Sequence, residues 1–205
     1  MDTPSVENGR NKGGLTPRLT LIVYGALSAV AFTWGFIAGR PFIFVHPNPD
    51  IPHSGILALL MQIGAGLLFA ISIIILSKWA SQRFLWARRL ESEFTRIIGV
   101  LSTRDIIIMA ISSGLAEELF FRGAMQPTLG LGLTSLIFGM LHMGPSRQFW
   151  PWTVFALLVG LILGWFFEES GTLAAPITAH IVINLVNMLR LRNRWYSMQT
   201  GPQSE

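Results

Sequence analysis

The sequence predicts an all-α fold, a polytopic membrane helical bundle of about six transmembrane helices. Three observations predict it: long apolar runs, a shortage of charge, and Lys and Arg gathered on one side of those runs. Of 205 residues, 51% are hydrophobic and only 13% charged, with a mean hydropathy of +0.52. A soluble domain carries about 25% charged residues, so this chain cannot cover itself with a solvated surface. Cysteine is absent, which removes a disulfide framework and a thiol nucleophile. The sequence pI near 10.3 does not read as nucleic-acid binding, because the cations flank apolar runs and no nucleic-acid motif accompanies them.

Six runs carry the expectation: 19–39, 55–77, 105–126, 131–143, 152–167 and 172–190. Most approach the ~20 residues that cross a bilayer; the fourth is short, which favours a tilted or partial span. The first follows Arg18 and continues past the signal-like Ala29-Val30-Ala31, so it reads as an uncleaved span. Between the second and third runs, Trp79, Phe84, Leu85, Leu90, Phe94 and Ile97 recur among arginines at near-helical spacing. That pattern predicts an amphipathic helix on the cytoplasmic membrane surface near 78–100, touching anionic headgroups. The loop Pro41–Gly55 holds four prolines and reads as irregular. Its His46, Asp50 and His53 match no metal-ligand spacing and read as incidental polar residues. The expected divisions are a flexible tail 1–18, a transmembrane pair with the interfacial helix over 19–104, a catalytic core 105–190 and a C-terminal tail 191–205.

With six spans, 13 of the 15 Lys and Arg fall on one side, leaving Arg40 and Arg122 as the exceptions. The positive-inside rule then puts both termini in the cytoplasm. It also puts the turn between the third and fourth runs on the opposite face.

Polar residues inside the last four runs carry the chemistry. A carboxylate or imidazole in hydrocarbon costs roughly 2.5–3.5 kcal/mol even on the lenient insertion scale, so such groups persist where they have partners or work. Glu118 and Arg122 are four apart and stack on one helix face as a charge-assisted pair. Glu117, rotated by about 100°, lacks that local partner and is the candidate proton acceptor. The breaker-rich Pro127-Thr128-Leu129-Gly130 marks a turn centred between Leu129 and Gly130. Glu117 and His142 lie equally far from that centre, so an antiparallel hairpin sets them at one depth, roughly 19 Å from the turn at 1.5 Å per residue. His180 lies at similar depth beyond the Ser170–Gly171 turn, with Asn184 one helical turn further along the same face and Asn187 close to it. A buried network that merely locks helices is the bland reading of the Glu118–Arg122 pair. Two histidines levelled with Glu117 favour a working site.

These residues stand as Glu117-Glu118-x-x-x-Arg122, Phe138-x-x-x-His142 and His180-x-x-x-Asn184. In that order, each inside an apolar run, they resemble the three motifs of the CPBP family, the CAAX-protease and bacteriocin-processing (Abi) intramembrane proteases. The resemblance spans about 105–190. It implies an intramembrane endopeptidase cutting a membrane-anchored or C-terminally processed protein near the bilayer. Glu117 with His142 would activate a water, His180 and Asn184 would stabilise the oxyanion, and Glu118 and Arg122 would support the site. No cofactor is expected. Zinc on Glu117, His142 and His180 is the disfavoured alternative, because no His-Glu-x-x-His motif is present. The expected setting is a bacterial inner membrane, with lipids as partners. Two rival readings remain: a non-catalytic scaffold or bacteriocin-immunity-type protein retaining the polar network, and a proton-coupled transporter, which the lack of internal repeats disfavours.

Overall fold

The computed structural model describes residues 17–48, 50–51, 55–98 and 101–200. Among these, seven α-helices form an antiparallel bundle: α1 (Pro17–Ile37), α2 (Ile56–Arg83), α3 (Leu85–Ile98), α4 (Thr103–Glu118), α5 (Gln126–Leu141), α6 (Trp150–Ser170) and α7 (Ala174–Thr200). A π-helical segment, Leu119–Met125, joins α4 to α5, and a 3-10 turn, Arg147–Phe149, precedes α6. Residues 1–16 of the tail expected at 1–18, residues 201–205 of the tail expected at 191–205, and His53 lie outside the described residues.

Local sequence explains the ends of these helices. Ser102 and Asp105 form a reciprocal capping box that starts α4. Gly171 closes α6 in the left-handed conformation, φ +70°, with its N–H on the Phe167 carbonyl. The chain becomes extended at Phe84, so α2 runs on through Lys78 to Arg83. The amphipathic helix accordingly begins at Leu85 rather than near 78. Helix α7 likewise continues to Thr200, through most of the segment expected as a tail.

The bundle is built inside out for water. Ile22, Phe36, Ile37, Leu57 and Leu68 are exposed, whereas Glu118 and Arg122 are buried at 0% and 1% exposure. In lipid this ordering is the favourable one, since apolar side chains meet hydrocarbon and polar groups find partners inside. Several helices are long and apolar enough to cross a bilayer; the chain is an integral membrane protein.

The backbone hydrogen-bond pattern runs with little interruption from Thr103 to Leu141, yet the chain reverses within it. Gly130 sits at φ +78°, ψ 163°, a region open almost only to glycine. Phe121 and Phe138 stack edge to face with centroids 4.9 Å apart, and Glu117 lies 3.7 Å from His142. A straight helix would hold residues 117 and 142 roughly 37 Å apart. The hairpin expected from the Leu129–Gly130 turn is therefore present, and it brings the number of passes to six.

Two ends are distinguishable. At one, Arg40 of the loop after α1 bonds Thr128 Oγ1 (2.6 Å) and the Ala124 carbonyl (3.4 Å). Val45 pairs with Thr172 as an isolated β-bridge. Ile43, 1% exposed, wedges between Gly35 and Gly123, where a Cβ would collide with it. At the other end α3 packs on α7, with buried Glu91 gripped by Arg194 (2.8 Å) and Arg190 (3.5 Å). Phe94 meets Phe149 and Trp152 edge-on there.

Candidate active site

Three helical arms bring the polar residues together: the α4–π segment, the returning arm of α5, and α7. The Arg122 guanidinium donates to Glu118 Oε1 at 3.0 Å and to the Gly160 carbonyl at 3.1 Å, and lies 4.5 Å from the centroid of the Phe138 ring. The expected i,i+4 pair is present, but Glu118 does more than pair. Its Oε1 also accepts from His180 Nδ1 at 2.7 Å, which ties α7 to α4. Gly114 permits this approach: a Cβ there would come within 2.9 Å of the Ile181 backbone nitrogen.

The two histidines are held in matching orientation. His142 caps α5 and presents Nδ1 to the Phe138 carbonyl at 2.7 Å. A carbonyl only accepts, so Nδ1 carries the proton there and Nε2 is left free. His180 Nδ1 donates to the Glu118 carboxylate, which is equally compatible with a doubly protonated ring. Both Nε2 atoms then point at Glu117 Oε2, at 3.7 Å from His142 and 3.9 Å from His180. Glu117 Oε2 itself is buried with no hydrogen-bond partner. Asn184 Nδ2 donates to Ser113 Oγ at 3.0 Å, while Asn187 sits apart, accepting from Ser77 of α2 at 3.3 Å.

Glu117, Glu118, Arg122, His142 and His180 thus belong to one cluster, while Asn184, one turn past His180 on α7, bonds Ser113. Three contributors were not singled out. Phe138 was read only as part of a motif, yet its carbonyl sets the His142 tautomer and its ring covers Arg122. Ser113 lies one helical turn before Glu117 and accepts from Asn184. Tyr24 of α1 is partly buried and lies near Glu117 and Ser113. A tyrosine within an otherwise aliphatic first span was the available signal.

The remaining polar groups read as structural. His46 Nδ1 accepts from the Asn48 N–H at 3.1 Å, and Asn48 Oδ1 from the Asp50 N–H at 3.0 Å. Burial pushes the His46 imidazole down from its ordinary value, Glu168 opposing and Arg40 reinforcing. Glu117, His142 and His180 have the composition of a zinc site; among the described residues no group of three such side chains is found arranged to hold a metal ion. Beside His142, whose carbonyl accepts from Thr153 Oγ1 at 3.5 Å, a cavity of about 230 Å³ opens between Met143, Pro145, Arg147, Trp150 and Thr153.

Comparison with known proteins bears on this cluster. Residues 99–186 match the family model described as type II CAAX prenyl endopeptidase Rce1-like, a segment that includes all six residues. Over 99 residues, 47% of this chain, the sequence is 34% identical to Uncharacterized protein YpbD of Bacillus subtilis (strain 168). That match covers 51% of YpbD, so the chain spans about half the length of this curated relative. No solved structure matches. Residues 99–186, which carry the three motifs around Glu117, are thus similar to the Rce1-like family.

Proposed function

We propose that the protein is an intramembrane endopeptidase that cuts a membrane-associated protein close to the bilayer. The observation that carries this reading is the unpartnered Glu117 Oε2, faced by two imidazole Nε2 atoms from separate helices at 3.7 and 3.9 Å. Such spacings are too long for direct hydrogen bonds and suit a shared water between the groups. Glu117, with His142 orienting the water, takes its proton as the oxygen attacks the peptide carbonyl. The oxyanion is met by the Nε2–H of protonated His180, whose charge Glu118 balances, and by the Asn184 amide. Donors fixed in a low-dielectric site are effective because they need no reorganisation. Glu117 then passes its proton to the departing amine as the C–N bond breaks, which returns the site to its starting state.

No metal enters this scheme. The cavity beside His142 opens toward the end that carries α3, and we assign that end to the cytoplasm, with both termini there and a bacterial inner membrane as the setting. The substrate class is a membrane-anchored or C-terminally processed protein.

The test is comparison of N- and C-terminal proteomes of cells carrying the wild type, Glu117→Gln or His142→Ala. The expected result is new termini with the wild type alone, by a purified activity that survives metal chelation. Termini that persist in both variants overturn the peptidase reading and favour a scaffold; loss on chelation overturns the metal-free scheme.

A further inference from the structure

His142 stands at the very end of α5, where the backbone leaves the helix at φ −93°, ψ 11°. Its own helix restrains the imidazole through a single residue. The Phe138 carbonyl faces Nδ1 at 2.7 Å, and the Phe138 ring lies 4.3 Å away, centroid to centroid. Helix ends fray, and a ring that must hold a water against Glu117 needs support from a second element to keep its pose.

That support comes from α6 and, behind it, from α3. Trp152 of α6 meets the His142 ring with centroids 5.9 Å apart and planes inclined by 60°. Trp152 is half-buried and is itself wedged, with Phe155 stacked on it at 5.8 Å and Phe94 of α3 against it at 5.2 Å and 71°. These distances fall in the range of about 4.5–7 Å in which ring pairs attract beyond their buried area. Phe94 also meets Phe149 edge to face at 5.4 Å. Phe149 in turn fills the place that a Cβ on Gly144 would need, two residues after His142. One phenylalanine therefore bears on the ring of His142 and on the chain that leaves it. Helix α3 can carry this load because it is pinned. Glu91, one turn before Phe94 and on the buried face with Thr95 and Ile98, pairs with Arg194 at 2.8 Å and Arg190 at 3.5 Å on α7.

We propose that α3 braces the working site: Phe94, which lies outside the matched segment 99–186, and Trp152 are positioning residues that hold the His142 imidazole toward Glu117. The interfacial helix is then part of the site's support and more than a connector on the membrane surface. The inference rests on the peptidase reading for its kinetic consequence, but not for the ring contacts themselves.

The test uses the full chain in lipid nanodiscs with isotope-labelled histidine, the His142 resonances being those that vanish in His142→Ala. Phe94→Leu and Trp152→Leu keep an apolar side chain and remove the ring. Both should move the His142 ring-nitrogen signals from one Nδ1-protonated form toward exchange between tautomers, leaving those of His180 as in the wild type. With a membrane-anchored reporter peptide that the wild type cleaves, each should lower kcat about tenfold with KM within about twofold. The double variant should fall little further, because both residues act along one path. Phe94→Tyr restores the ring and should bring turnover back to within about twofold of the wild type. Either leucine variant suffices if the other fails to fold. Unchanged His142 signals, an equal disturbance of His180, additive losses, a rise in KM alone, or a Phe94→Tyr no better than Phe94→Leu overturns the proposal. The nitrogen signals need no substrate. If Glu117→Gln still cleaves, the peptidase reading falls while those signals continue to judge the brace.

Discussion

Arg122 spends its charge entirely inside the protein: 1% exposed, it reaches Glu118, the Gly160 carbonyl and the face of Phe138. Its planar fork suits this division of contacts in a way that a lysine point charge does not. Removing it leaves Glu118 buried and holding only His180, so Arg122→Ala should lower stability by about 3–5 kcal/mol, the usual cost of breaking one half of a buried pair. Thermal unfolding in detergent micelles measures this; a variant melting with the wild type would show that the pair is not structural. At this scale the sequence was legible where partners are local. The i,i+4 spacing of Glu118 and Arg122 and the isolation of Glu117 follow from helix geometry alone. The bond from His180 to Glu118, across 62 positions, has no local signature and emerged only in the fold.

Helices meet at their small residues. In lipid there is no hydrophobic drive between helices, so close backbone approach carries the association. Gly66 of α2 has its Cβ position against the Ala175 carbonyl, and Gly114 of α4 against the Ile181 backbone. Gly114 matters more for the site, being one turn before Glu117 and Glu118. Gly114→Ala should force α7 outward, cost about 1–3 kcal/mol as overpacking does, and reduce cleavage by pulling His180 from Glu118. Comparing melting temperature and turnover for this variant tests it; wild-type turnover would mean that α7 adjusts without disturbing the site. The hairpin was legible at this scale, because the breaker cluster at 127–130 and equal sequence distances on either side fix relative depth. The π-helical turn at Leu119–Met125 was not, since it reflects how the arms pack rather than any residue preference. Such turns concentrate at functional sites, and here one begins directly after Glu118. The reach of α2 to Arg83 and of α7 to Thr200 was also missed, because charged residues there ended the apolar runs; on α7, Glu91 of α3 pairs with Arg190 and Arg194.

Across the whole molecule the charge asymmetry and the two distinguishable ends agree. The α3 end gathers Lys78, Arg83, Arg88, Arg89, Arg96, Arg147 and the α7 arginines; the opposite end carries Arg40 beside the hairpin turn. A single cysteine placed at Leu129 should therefore react with an impermeant thiol reagent added outside intact cells, and one at Ser197 only after permeabilisation. The reverse pattern would invert the bundle. The helical membrane bundle, the motif residues and the common depth of Glu117 and His142 were legible in the sequence alone, because hydropathy and a fixed rise per residue act along the chain. Tertiary structure decided the rest: His180 on Glu118, Asn184 on Ser113, and Ile43 plugging one end. These depend on which helices become neighbours, and that choice is made by shape at small residues, which leaves no periodic trace along the chain.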